Sequence, residues 1–243
     1  MTDLQAILDT GGPWEQARII GDQLLIQGDC LEVMAALGGV YDAICTDPPY
    51  GVEHSSNRAS SWQKTSIAND HDTQARDDVL RIGNVPCLVF GSWKRAKPVG
   101  THTVLIWDKG DAAGMGDLSI PWKPNHEEIY VIGKGFSGPR NSAVLRHTNI
   151  TWESHGRQHP HAKPVSLMCD LLQKCLHEWT ILDPFMGSGT TLVACQRLGR
   201  QGIGIELDPD YFKIACKRVQ EVVNNPPLFK PDIPKPKQEE MGL

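Results

Sequence analysis

Asp47, Pro48, Pro49 and Tyr50, within "TDPPYG" at 46–51, set a carboxylate, two imino acids and an aromatic ring side by side. Proline has no amide donor and a fixed φ, so the pair cannot continue a sheet ladder and stiffens the loop after a strand. On such a loop Asp47 is a fixed hydrogen-bond acceptor, and the Pro48 carbonyl offers a second one beside it. Two fixed acceptors suit an amine whose lone pair is delocalised into a ring. Drawing on both N–H hydrogens localises that pair toward an electrophile. Tyr50 adds a face on which a planar base can stack. A plain turn uses the same residue types, so this reading needs a companion site.

The companion is "DPFMGSGTT" at 183–191. Gly187 and Gly189 permit a tight turn and close approach of backbone to a ligand. Asp183 ends a strand, and Glu206, 17 residues past Gly189, ends the next one. An acid at that spacing is where a nucleotide-binding fold holds ribose hydroxyls. No "GK[ST]" follows and the full GxGxxG is missing, which argues against a phosphate loop or a dinucleotide site. Carboxylates at both strand ends would also repel a pyrophosphate. The expected ligand is adenosyl without phosphates, and S-adenosylmethionine fits, with Phe185 placed to cover it or face its sulfonium. His159, His161 and Lys163 lack a carboxylate to complete a metal set, so no metal is expected.

The elements that must carry these loops alternate between strand and helix. "QLLIQGD" reads as a strand and "CLEVMAAL" as a helix stopped by Gly38 and Gly39. "YDAIC" is the strand entering the Asp47 loop, and "VPCLVFGSW", "THTVLIWDKG" and "HEEIYVIGKG" follow as three more. "KPVSLMCDLLQKCL" has helical spacing with Pro164 suited to the first turn, "TILDPF" is a strand, and "TTLVACQRLG" is a helix ended by Gly199. "GIGIEL" is a last strand, and Asp208 with Pro209 opens a last helix. The pattern predicts an α/β, Rossmann-like fold: a largely parallel central sheet with helices on both faces and ligands beyond the strands' carboxyl ends. Residues 1–223 form one expected domain. Within it, 51–84 reads as a long polar surface loop and a lid over the site, and 137–158 as an insert without clear period. The Pro-rich 224–243 reads as a disordered tail.

The 243 residues carry a net charge of −5, which disfavours a protein that coats nucleic acid unspecifically. From Lys134 to Lys163, however, five Lys or Arg and four His face one acid, Glu153. Arg140, Arg146 and Arg157 in that stretch are the candidates for DNA contact. Lys94, Arg95 and Lys97 fit either phosphate contact or a solvated loop. Trp93 and Trp107 read as core. Seven scattered cysteines without a CxxC pair suit buried thiols in a reducing cytoplasm. No apolar run is long enough to span a membrane.

"TDPPY" and "DPFMGSGTT" together resemble the amino-group DNA methyltransferases of bacteria and their phages. The acceptor motif precedes the cofactor motif, as in the circularly permuted β class. "HPHAKP" at 159–164 is similar to that class's HPxxKP cofactor motif, and "QGDCLEVM" to the strand end whose acid, here Asp29, meets the adenine. The resemblance spans 20–223. It implies S-adenosylmethionine as methyl donor, S-adenosylhomocysteine as product, and a base flipped out of DNA. It places Lys163, Pro164, Ser188 and Thr190 with Asp29, Asp183, Phe185, Gly187, Gly189 and Glu206 around the cofactor, and Asp47 to Tyr50 on the target amine. Asp47 in the place where cytosine-N4 enzymes more often carry Ser favours adenine-N6. Cytosine-N4 transfer and a non-catalytic nucleic-acid-binding module stand as alternatives. A homodimer and a restriction-enzyme partner are both left open by the sequence.

Overall fold

The computed structural model describes residues 2–49, 73–110, 119, 121–147 and 163–226. In chain order the elements are α1 (Leu4–Thr10), β1 (Gln16–Ile20), β2 (Gln23–Gln27), α2 (Cys30–Leu37), β3 (Ala43–Thr46), α3 (Gln74–Gly83), β4 (Cys87–Gly91), β5 (Thr101–Asp108), β6 (His126–Ile132), β7 (Val144–Arg146), α4 (Val165–Leu172), β8 (Ile181–Asp183), α5 (Thr190–Leu198), β9 (Gly202–Glu206) and α6 (Pro209–Asn224). All nine strands join one sheet in the order β1-β2-β9-β8-β3-β4-β6-β5-β7. The five strands from β2 to β4 in that order are mutually parallel. β1 is antiparallel to β2 at one side, while β6 runs antiparallel to both β4 and β5, and β7 pairs in parallel with β5. The expected parallel block is therefore one part of a mixed sheet.

The parallel strands are buried on both faces, which is why they read as unbroken apolar runs. Their side chains still alternate. Leu25, Cys45, Leu88 and Phe90 pack with α4, α5 and α6 on one face. Leu24, Ile26, Ile44 and Val89 pack with α1, α2 and α3 on the other. Asp29 caps α2 by accepting from the Leu31 and Glu32 amides, and Asp208 caps α6 by accepting from Asp210 and Tyr211. Gly38 and Gly199 end α2 and α5 in the left-handed conformation. Pro164 stands one step earlier than expected: its extended ψ of 132° makes it the N-cap of α4.

Four elements depart from the sequence reading. The 51–84 loop contains the ten-residue α3, which buries Val79 and the stem of Arg76. Its low mean hydropathy concealed it, since two apolar positions and one long arginine supply its docking face. The 137–158 insert contributes β7, a three-residue edge strand ordered by its pairing with β5 and too short for any periodicity. β1 is half-exposed and α1 buries Leu4 alone, so neither shows a clear apolar period. Tyr50, residues 51–72, residues 148–162 with Arg157, His159 and His161, and residues 227–243 lie outside the described residues.

Strand direction decides which loops meet. β2, β9, β8, β3 and β4 all end at one edge; β6, being antiparallel, begins there, and β5 and β7 end there. Asp29, Glu206, Asp183, Asp47, Lys109, Glu127 and Arg146 therefore share that edge. Arg140 lies in the connection that leaves β6 at the opposite edge, where the Ser137 amide donates to the Lys174 carbonyl.

Candidate active site

The glycine loop is held from below by Asp183. This carboxyl is 3% exposed and accepts from Thr46 Oγ1 at 2.7 Å, Thr191 Oγ1 at 2.5 Å and the Phe185 amide at 3.2 Å. Burial pushes it up to about 6, against the pull of those three donors. Asp183 is thus a staple between the end of β3 and the start of α5. Glu206 clamps the loop from the side. Its Oε2 accepts from the Gly187 amide at 2.9 Å and its Oε1 from the Asp208 amide at 2.8 Å, and burial raises it above the ordinary carboxylate range.

Two glycines of the loop differ in purpose. At Gly189, φ is +79° and an added Cβ would stand 2.9 Å from the Ala215 Cβ, so the residue lets the loop lie on α6. At Gly187, φ is +50° and nothing lies within 4 Å of such a Cβ, so the chain there borders open space. From α6, Arg218 Nη1 donates to the Ser188 carbonyl and hydroxyl, both at 2.7 Å, and to Thr190 Oγ1 at 3.1 Å. Sequence reasoning missed Arg218, because one basic residue on an amphipathic helix carries no signal of its target.

The second loop is held by charge. Lys163 Nζ, just before α4, lies 2.6 Å from Asp47 Oδ2 and 3.2 Å from Glu127 Oε2, and Lys109 pairs with Glu127 Oε1. The Lys163 ammonium also lies 5.1 Å from the Phe90 ring centroid and 5.9 Å from that of Trp107. Burial alone would lower the Lys163 amine, but Asp47 and Glu127 outweigh it and hold the group above its usual value. Burial would raise the Glu127 carboxyl, and the two lysines outweigh it in turn. Neither Glu127 nor Lys109 was singled out in the sequence, since both are charges at ends of strands and become neighbours only through the β5–β6 hairpin.

The structure brings Asp47, Pro48, Pro49, Asp183, Phe185, the glycine loop, Glu206 and Lys163 to one edge, and it puts Lys163 on the Asp47 carboxylate. Asp29 stands there too, with its carboxylate engaged in capping α2. Of the arginines, Arg146 is at this edge, 84% exposed and 3.5 Å from Asp108; Arg140 is at the opposite one and does not belong to the site. Trp107 is core, with Nε1 donating to the His147 carbonyl. Trp93 is not: it is 62% exposed, on the 92–99 loop that leaves β4 beside the Asp47 loop. That loop is held by Arg76 Nη1 donating to the Ala96 carbonyl at 3.0 Å and by Tyr130 Oη at the Ser92 carbonyl. Five of the seven free cysteines are buried, as their scatter implied. Among the described residues no helix is long and apolar enough to cross a membrane, and no group of three His, Cys, Asp or Glu could hold a metal.

Comparison with known proteins agrees with this geometry. YubD of Escherichia coli (strain K12) is 32% identical over 216 residues, covering 81% of this chain and 90% of that protein. The type II methyltransferase M.ScaI of Streptomyces caespitosus is 24% identical, with 82% of each chain covered. The fold matches the crystal structure of M1.HpyAVI in complex with SAM (TM-score 0.59, 24% identity, 80% of this chain and 98% of that one). It also matches the cytosine-N4-specific PvuII DNA methyltransferase (TM-score 0.62, 14% identity, 87% and 94%). The model of the N6_N4_Mtase family, described as DNA methylase, matches residues 92–217. With the Asp47 loop and the glycine loop on the same edge of this fold, the chain belongs to the N6/N4 DNA methylase family.

Proposed function

We propose that this chain moves a methyl group from S-adenosylmethionine to the exocyclic N6 amine of a flipped adenine within a short DNA sequence, as an enzyme of the permuted β class. The observation that carries the reading is the Thr46–Asp183 hydrogen bond, which ties the residue before Asp47 to the floor of the glycine loop. It fixes an amine acceptor relative to a nucleoside pocket across adjacent strands, and in-line transfer needs that positioning above all.

The residues fit the cofactor. Open space at Gly187 and buried carboxylates at two strand ends suit ribose hydroxyls and a cationic sulfonium better than phosphates. Glu206, Phe185 and residues 187–190 would line it, Asp29 and Pro164 would flank it, and Asp183 would act through the loop. S-adenosylmethionine supplies an electrophilic methyl group whose S–C electron pair stays with sulfur. Asp47 and the Pro48 carbonyl accept from the two N–H groups of the target amine and aim its lone pair; Tyr50 stacks on the base. The surplus proton of the methylated amine leaves to Asp47 or to water.

DNA would approach the shared edge, meeting Arg146 and the 92–99 loop with Trp93, Lys94, Arg95 and Lys97. Asp47 in place of Ser supports adenine; the fold shared with a cytosine-N4-specific enzyme supports the cytosine reading equally well as architecture. The test is direct sequencing of modified bases in genomic DNA from a methylation-deficient bacterial host expressing the chain, beside Asp47→Ala. N6-methyladenine at one short motif, absent with the variant, is expected. N4-methylcytosine would overturn the base assignment, and unmodified DNA from soluble protein would overturn the catalytic reading.

A further inference from the structure

The target amine and Lys163 need the same carboxylate. With Asp47 the acceptor for the amine, as proposed above, its Oδ2 is already held by an ammonium at 2.6 Å. Such a buried ammonium needs a carboxylate at all times, because a charge left unpaired away from water is strongly destabilising. A second one is within reach. Glu127 Oε2 lies 3.2 Å from Lys163 Nζ, a looser contact than the 2.6 Å one to Asp47, and no other described group donates to it. Lys109 holds the other Glu127 oxygen and keeps that side chain in place. The groups facing Lys163 come from the end of β3 (Asp47), the start of β6 (Glu127) and, as π faces, β4 and β5 (Phe90 and Trp107). Asp47, Glu127, Lys109 and Lys163 sum to zero formal charge, and they still do if the ammonium changes seats.

We propose that Lys163 and Glu127 are positioning residues of the transfer step. Lys163 aims the Asp47 carboxylate before the base arrives, and Glu127, braced by Lys109, is the seat to which the ammonium shifts when the amine docks on Asp47. No proton changes hands in the shift: Lys163 keeps its three, its close contact moves from Asp47 to Glu127, and the amine N–H takes the vacated lone pair. Glu127 thereby allows Asp47 to be held in the resting protein and available in the working one. This gives the HPxxKP-like lysine a duty to the amine acceptor, where the motif alone implied one to the cofactor.

The test uses the full chain with Lys163→Met, Glu127→Gln and the double variant. S-adenosylmethionine affinity is read by calorimetry without DNA, and single-turnover methyl transfer from labelled cofactor is read on genomic DNA of a methylation-deficient host. Glu127→Gln should slow transfer about 10-fold in the natural background, because Lys163 stays on Asp47, and should cost nearly nothing once Lys163 is Met. Lys163→Met should slow transfer about 100-fold with cofactor affinity within about 3-fold of the natural protein, and Lys163→Arg should recover part of the loss. An equal cost of Glu127→Gln in both backgrounds would overturn the shift. Weaker cofactor binding with undiminished transfer at saturation would return Lys163 to the cofactor. If Lys163→Met does not fold, the same cycle run on Lys163→Arg decides, since the shift predicts that the Glu127→Gln penalty persists there. Absence of transfer by the natural protein in this assay would refute the proposed function instead.

Discussion

The two loops of the site are built by different physics. The glycine loop is fixed by short hydrogen bonds from backbone amides and hydroxyls to buried carboxylates, with Arg218 locking its outer side. The Asp47 loop is fixed by a long lysine that touches two acids and two rings. Backbone amides cannot change partners without moving the chain, whereas a lysine ammonium can, at the cost of one rotamer. The protein thus has a rigid side, where a small ligand of fixed shape would be gripped, and an adaptable side, where under the proposed function a base would dock and leave again.

The largest effect that would break this contrast is at Asp47. Asp47→Ala should lower methyl transfer about 10³-fold, since removing a preorganised acceptor costs on that order, with Glu127 left as the partner of the Lys163 ammonium. A variant that kept a tenth of the natural rate would make the carboxylate a bystander. On the rigid side, Arg218→Ala removes three hydrogen bonds to 188–190. It should weaken S-adenosylmethionine binding about 10-fold, since a charged hydrogen bond contributes roughly 1.5–3 kcal/mol, while leaving DNA affinity alone. Loss of DNA binding with intact cofactor binding would reverse the assignment of sides.

On the DNA-facing edge, neutralising Lys94, Arg95 and Lys97 together should flatten the dependence of log affinity on log salt by about 2 to 3, near 0.9 per phosphate contact. Trp93→Ala should weaken DNA binding about 10-fold without altering that slope, because stacking involves no counterions. An unchanged slope in the triple variant would leave Arg146 and the stretch from 148 to 162 as the source of phosphate contact.

The rigid side was far more legible in the sequence than the adaptable one. Strand, glycine turn and helix are local patterns, so the loop at 183–191, the cap at Asp208 and the stops at Gly38 and Gly199 could all be read directly. The parallel block was legible because doubly buried strands are apolar throughout. What escaped were contacts between residues far apart in sequence. Arg218 acts on 188–190 from the next helix, Lys109 meets Glu127 only because β5 and β6 pair as a hairpin, and Lys163 reaches Glu127 from the start of α4. Trp93 was misjudged because its neighbours in β4 are apolar; the strand ends at Gly91, and the ring stands in the loop beyond. Arg140 was grouped with Arg146 by closeness in sequence, although β7 runs between the two edges and parts them.

The smallest expected effect tests how the rigid side is held. Burial raises the folded-state value of Asp183 from the ordinary 3.8 to about 6. Between those values the folded protein binds more protons at this site than the unfolded chain, so this group's contribution to stability falls as pH rises from about 4 to 6 and is level on either side. Asp183→Asn keeps an oxygen for Thr46 and the Phe185 amide, and lets Thr191 reverse its hydroxyl toward the new amide, without the buried charge. Denaturant unfolding of both proteins at pH 4, 5, 6 and 7 should show the Asn variant gaining on the natural protein up to about pH 6 and holding that gain above it. A difference that stays constant across the series would mean that the carboxyl is as well solvated folded as unfolded, and the contrast between a desolvated staple at Asp183 and an ion-paired loop at Asp47 would fail.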